Sequence, residues 1–151
     1  MADRPLILDA FIPFRLSFTS NLVSDTIART YEALFGLSIP EWRLVAVVAE
    51  TGGTSQGGVA ARTRMDKVTV SRAAIALVDR GLLQRGVNPG DKRSHLLTLT
   101  IDGRELYAAV APKALDLERR IFEGFDRAEV EAFTAMLRRI DAVTLALDDG
   151  G

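Results

Sequence analysis

A chain of 151 residues has the length of one compact domain, or of one domain with a helical extension used for assembly, and a second full domain is not expected. At 48% hydrophobic and 26% charged residues it can bury a real core, which excludes disordered and collagen-like architectures. It has no cysteine and one histidine, His95, so disulfides, thiol nucleophiles, thiol redox switches and Cys-ligated metals are out, and no metal or cofactor is expected. The same poverty leaves little from which to build acid–base catalysis, and an enzyme is not expected.

The longest uncharged stretch, Thr51–Ala61, is 11 residues, against the roughly 18–20 apolar residues a membrane helix needs. The opening MADRPLILDAFIPFRLSF mixes Arg4 with Asp3 and Asp9 and has no small-residue cleavage signal. Both features predict a mature cytoplasmic chain without a membrane partner. The net charge of −1 conceals a segregation: residues 62–93 hold eight cations against three acids, a net +5, and the rest of the chain is −6. A basic centre in an acidic frame is what a protein shows when only its middle touches a phosphate backbone.

From about Asp9 to Phe35 apolar residues recur at mixed helical spacing, predicting a first helix with Pro13 near its first turn and Gly36 at its stop. Pro40 opens a second, almost wholly apolar helix containing Trp42, Leu44, Val45, Val47 and Val48, which Gly52 and Gly53 end. Ser55 is the predicted N-cap of a short third helix through Arg62, weakened by Gly57 and Gly58 at roughly 1 kcal/mol each relative to alanine. TGGTSQGG lacks the Gly-Lys-Ser/Thr ending of a phosphate-binding loop and reads as a helix–helix turn.

Asp66 caps a predicted fourth helix through Arg80. Stepping 100° per residue puts Val70, Ala73, Ala74, Leu77 and Val78 on a core face. Val68, Ser71, Arg72 and Ile75 fall opposite, with Lys67 and Thr69 at the open first turn. Short, polar and basic side chains with methyls between them suit a major groove: hydroxyls reach phosphate or base edges, Arg grips guanine, and Val meets a thymine methyl.

Leu82–Val87 and Ser94–Thr100 then read as two short strands around Asn88-Pro89-Gly90-Asp91. His95, Leu97 and Leu99 share one face and Leu96, Thr98 and Thr100 the other, which predicts a strand covered on both sides and a structural His95. The charged tip carries Lys92 and Arg93, the arginine suited to a narrow minor groove, and Asp91, placed to hold the Arg93 guanidinium by a charge-assisted bond. Thr100 caps a helix to about Phe125, kinked at Pro112. Asp126 and Glu129 make a capping box for a last helix with the stripe Phe133, Leu137, Ile140 and Leu147. The long terminal helices carry more apolar surface than the middle can cover, which predicts a homodimer.

The order of four helices, hairpin and two helices, with the strings IPEWRLVAVVAETG, DKVTVSRAAIALVDRGLLQR and NPGDKRSHLLTLTIDGREL, resembles the MarR family of bacterial transcription regulators over about residues 6–147. The strongest part is Asp91-Lys92-Arg93 followed by Leu-Thr and Gly103. The resemblance implies a mainly α (α+β) winged helix-turn-helix. Residues 1–38 would form an N-terminal dimerisation helix, 39–103 the DNA-binding domain and 104–151 the C-terminal dimerisation helices. It further implies a homodimeric repressor on a pseudo-palindromic duplex DNA operator, released by a small phenolic or aromatic carboxylate. By resemblance the DNA-binding residues are Lys67, Val68, Thr69, Ser71, Arg72, Lys92 and Arg93, with Asp91 orienting the wing. Gly57-Gly58 departs from the family's helix-favouring supporting helix, and the lack of cysteine removes its thiol-sensing branches. Phe14, Arg15, Phe18 and Trp42 are the candidate effector residues, since aromatic walls and one cation suit an aromatic acid. The alternative reading is a winged-helix protein-interaction module without DNA binding, which would show no salt-dependent affinity for DNA.

Overall fold

Prolines in first turns and glycines past last turns set where the first helices begin and end. The computed structural model describes residues 3–150. A 3-10 turn, Leu8–Ala10, precedes α1 (Ile12–Phe35), which has Pro13 in its first turn and Gly36 in the left-handed conformation at its end. The predicted continuous helix from Asp9 is therefore broken at Phe11, an extended residue. α2 (Ile39–Thr51) starts from a capping box in which Ser38 accepts from the Glu41 N–H and Glu41 accepts from the Ser38 N–H.

α3 (Gln56–Thr63) is a formed helix, its Ser55 cap accepting from the Gly58 N–H at 3.1 Å. Of the two glycines expected to weaken it, Gly58 has a packing reason: a Cβ there would overlap the Thr54 hydroxyl. The turn into α4 (Lys67–Asp79) runs through Arg64, a non-glycine residue at φ 59°. β1 (Leu83–Val87) and β2 (His95–Leu99) pair antiparallel with Leu83 opposite Leu99 and Val87 opposite His95. Thr54 adds a bridge to Leu97 through both backbone bonds, at 3.1 and 2.7 Å. That bridge covers β2 from the far side and was not expected of a segment read as a plain turn.

α5 (Ile101–Ile121) starts under Thr100, whose oxygen accepts from the Gly103 N–H while its hydroxyl donates to the Gly81 carbonyl. It ends four residues before the expected Phe125, where Phe122 packs against Phe125 and Phe133 and closes the turn. α6 (Arg127–Asp149) carries the predicted Asp126–Glu129 capping box.

The chain divides into two compact units, Met1–Pro112 and Lys113–Gly151. In the first, Leu44, Val45 and Val48 of α2, Val59 of α3, Val70, Ala74 and Leu77 of α4 and Leu83 and Leu97 of the sheet share one core. Gly103 lets the start of α5 lie against the sheet, since a Cβ there would fall on the Leu82 carbonyl. In the second, α6 has no buried residue. Among the described residues no helix is long and apolar enough to cross a membrane.

Candidate nucleic-acid interface

α4 separates its two faces as the 100° spacing requires. Val70, Ala73, Ala74 and Leu77 are buried; Lys67, Val68, Arg72 and Ile75 are exposed, Val68 at 58% and Ile75 at 48%. Thr69 and Ser71 are half-buried. Val78, expected in the core, is only partly buried at its edge. An exposed valine and isoleucine beside a lysine and an arginine supply methyls and cations on one surface, which matches what a base-pair edge and its phosphates offer.

The Asp66 carboxylate accepts the Thr69 N–H and the Thr69 hydroxyl, each at 2.8 Å. These bonds favour the ionised form and hold Asp66 below the usual carboxylate range. They also commit the Thr69 proton, so toward another molecule its oxygen can only accept.

The tip between the strands is a nest of small turns. The Asn88 side chain accepts from the Gly90 N–H at 3.1 Å and donates to the Ser94 hydroxyl at 2.9 Å. Asp91 accepts the backbone N–H of Arg93 at 3.0 Å. The expected bond from Asp91 to the Arg93 guanidinium is not formed, because a carboxylate two residues upstream closes an Asx turn on the main chain. Asp91 thus sets the backbone at Arg93 and leaves the guanidinium exposed. His95 is exposed too, correcting the expectation that it lies in a strand covered on both sides; cover begins at Leu96.

Among the described residues Arg64, Lys67, Arg72, Arg85, Lys92 and Arg93 are exposed and in no ion pair. Two other cations of the basic segment are engaged: Arg62 pairs with Glu50 at 3.8 Å, and Arg80 donates to the Phe35 and Gly36 carbonyls. Arg64 and Arg85 were not singled out as site residues from the sequence. Arg64 sits two residues before the α4 cap Asp66, and that nearness was the available signal.

The four candidate effector residues do not form one cluster in the single chain. The Phe14 and Phe18 rings lie 6.0 Å apart, with the Arg15 guanidinium 5.1 Å from the Phe18 centroid and bonded to Asp9 at 3.1 Å. Trp42 lies instead between Tyr31 and Tyr107, each ring 5.9 Å away. Burial pushes the Tyr31 hydroxyl above its ordinary pKa, against the nearby Arg43. A groove of about 530 Å³ between α2, the sheet and α5 is lined by Val48, Ala49, Gln84, Thr98, Arg104 and Tyr107. A smaller one, about 300 Å³, lies between the start of α2 and α4 and includes Ser38, Pro40, Thr69 and Arg72. Neither includes Phe14, Arg15, Phe18 or Trp42.

Known proteins match this arrangement. A model described as the MarR family covers residues 35–94, from the end of α1 to the tip between the strands. The transcriptional regulator HosA of Escherichia coli O111:H- is 25% identical over 113 residues, which are 75% of this chain and 84% of HosA. An uncharacterized Mycobacterium tuberculosis protein is 32% identical over 99 residues, 66% of this chain and 68% of that protein. A solved structure of Bordetella bronchiseptica BpsR, whose DNA binding is regulated by 6-hydroxynicotinic acid, superposes with a TM-score of 0.81 at 25% identity, covering 91% of this chain and 98% of that one. With its helix pair, reading face and hairpin wing, the chain belongs to the MarR family of winged helix-turn-helix, DNA-binding transcriptional regulators.

Proposed function

We propose that this regulator works as a homodimeric repressor: residues 39–103 of each copy bind one half of an inverted-repeat operator, while residues 1–38 and 104–151 hold the copies together. The observation that carries the reading is the set of exposed cations on α4 and the wing that are in no ion pair among the described residues, backed by an α4 face that buries Val70, Ala73, Ala74 and Leu77. Lys67, Lys92 and Arg93 supply charge to phosphates and the minor groove. Val68, Thr69, Ser71 and Arg72 read base edges, with Arg72 the candidate for a bidentate guanine contact worth about 1–3 kcal/mol. Asp91 acts through the backbone of Arg93. Two such helices about 34 Å apart address half-sites one turn apart.

The dimer is supported by the apolar side chains one chain leaves bare, among them Phe11, Ile12, Leu16 and Phe18 near the start of α1 and Phe133, Met136 and Ile140 on α6. A small aromatic acid is the proposed releasing ligand, by analogy with BpsR. Arg104 beside Tyr107 is the cation the larger groove offers, Arg15 being already paired with Asp9.

Selection of bound sequences from random duplex DNA, followed by titration against salt, tests the proposal. An enriched inverted repeat and a steep negative salt slope are the expected result. No enrichment and no salt-sensitive affinity would move the protein-interaction reading ahead. Thermal-shift measurements with 6-hydroxynicotinic acid and related aromatic acids, on wild type, Arg104→Ala and Arg15→Ala, locate the effector cation; no stabilisation by any acid removes the ligand from the proposal.

A further inference from the structure

Among the described residues only three side-chain hydrogen bonds join positions more than six apart in sequence, and all three meet at one joint. The Arg80 guanidinium donates to the Phe35 carbonyl at 2.9 Å and the Gly36 carbonyl at 3.0 Å. These are carbonyls at the last turn and cap of α1, where the helix dipole is negative and orphan acceptors await donors. Arg80 is itself the C-cap residue of α4. The next residue, Gly81, accepts the Thr100 hydroxyl at 2.7 Å, and Thr100 caps α5. Three helix ends are thus fastened at Arg80-Gly81: the end of α1, the end of α4 and the start of α5.

We propose that Arg80 is a positioning residue for DNA recognition: by tying the end of α4 to the end of α1, its guanidinium sets the angle at which α4 presents Lys67 and Arg72, without itself touching DNA. The inference rests on the DNA-binding reading above. Its physical basis is leverage. The 13 helical steps from Lys67 to Arg80 span about 20 Å, so a tilt of about 3° at the joint moves the far end of α4 by about 1 Å. Bidentate contacts tolerate displacements of about 0.5 Å. A planar fork with two donors on two successive carbonyls resists such a tilt in a way that a single ammonium on a flexible stem does not.

The test uses the duplex that wild type selects from a random pool, an unrelated duplex of equal length, and the full-length variants Arg80→Ala and Arg80→Lys. Coupling predicts about a tenfold loss on the selected duplex for Arg80→Ala and a smaller, measurable loss for Arg80→Lys. Affinity for the unrelated duplex and the salt slope stay as in wild type. A phosphate-contacting Arg80 gives the opposite pattern: both duplexes weaken together in Arg80→Ala, the salt slope shrinks by about 0.9, and Arg80→Lys behaves as wild type. That pattern overturns the proposal. So does a lower melting temperature with an unchanged ratio of selected to unrelated affinity, which assigns Arg80 to stability alone. Wild type that selects no duplex overturns the DNA-binding reading, and the coupling with it; wild type that selects one while both variants match it overturns the coupling alone.

Discussion

α4 and α6 are both amphipathic helices launched from an aspartate cap, yet one chain completes only the first. α4 lays Val70, Ala73, Ala74 and Leu77 into a core shared with α2, α3 and the sheet. α6 keeps Phe133, Met136 and Ile140 at 41%, 50% and 41% exposure and has no buried residue. The difference shows that amphipathic spacing announces a face to be covered and says nothing of whose surface covers it. In the winged middle the cover comes from the same chain. For α6 the proposal above assigns it to a second copy.

Substitutions on the two sides should therefore fail in different ways. Leu44→Ala opens a cavity in the buried middle and should cost about 2–5 kcal/mol, lowering the melting temperature by roughly 5–15 °C. Ile140→Glu should instead leave helix content intact and shift the sedimenting mass toward that of one chain. An unchanged dimer mass for Ile140→Glu would break the comparison, because α6 would then not be a contact between copies.

Gly103→Ala is the next largest effect. The added methyl meets the Leu82 carbonyl and, at 3.3 Å, the Leu99 side chain, and forces α5 off the sheet. Overpacking of this kind costs about 1–3 kcal/mol. A denaturant titration checks it, and a stability equal to wild type would mean that the start of α5 yields more easily than a backbone contact should allow.

On the exposed side of the middle, Arg93→Ala should weaken operator binding about tenfold or more while the melting temperature stays within about 1 °C, since the guanidinium has no partner in the described chain. Binding indistinguishable from wild type at physiological salt would remove the wing from the proposed interface.

The comparison also explains what was legible in the sequence. Features set by near neighbours read directly: the Ser55, Asp66, Thr100 and Asp126 caps, the two faces of α4, and the turn at Asn88–Asp91 all depend on residues within four positions. Features set by distant neighbours did not. The Thr54–Leu97 bridge, the packing need for Gly58, the Arg80 joint and the separation of Trp42 from Phe14, Arg15 and Phe18 each depend on a partner that no spacing rule names. Asp91 lies between the two cases. Its role near Arg93 was legible from adjacency, but the choice of backbone N–H over guanidinium is a matter of turn geometry.

The smallest expected effect separates two carboxylates, one on each side of the comparison. Asp66 is held below the usual carboxylate range chiefly by the Thr69 backbone N–H and then by its hydroxyl. Asp116 in α5, within the second unit, is lowered chiefly by its hydrogen bond to Arg119 at 2.8 Å. A depressed folded pKa contributes stability that is fully present above the unfolded value near 4 and is lost as pH falls through the folded value. Both contributions should therefore be present at pH 6 and fade below about pH 4. Salt distinguishes them, because an exposed ion pair is screened whereas hydrogen bonds to a helix's own N–H and hydroxyl are much less so. Thermal melts from pH 2.5 to 6 should show Asp66→Asn differing from wild type most at the upper end, about equally in low and high salt. Asp116→Asn should differ in low salt only. Equal salt sensitivity of the two would mean that the Asp66 cap acts as a plain surface charge, and that the start of the reading helix is held no more firmly than an exposed turn of α5.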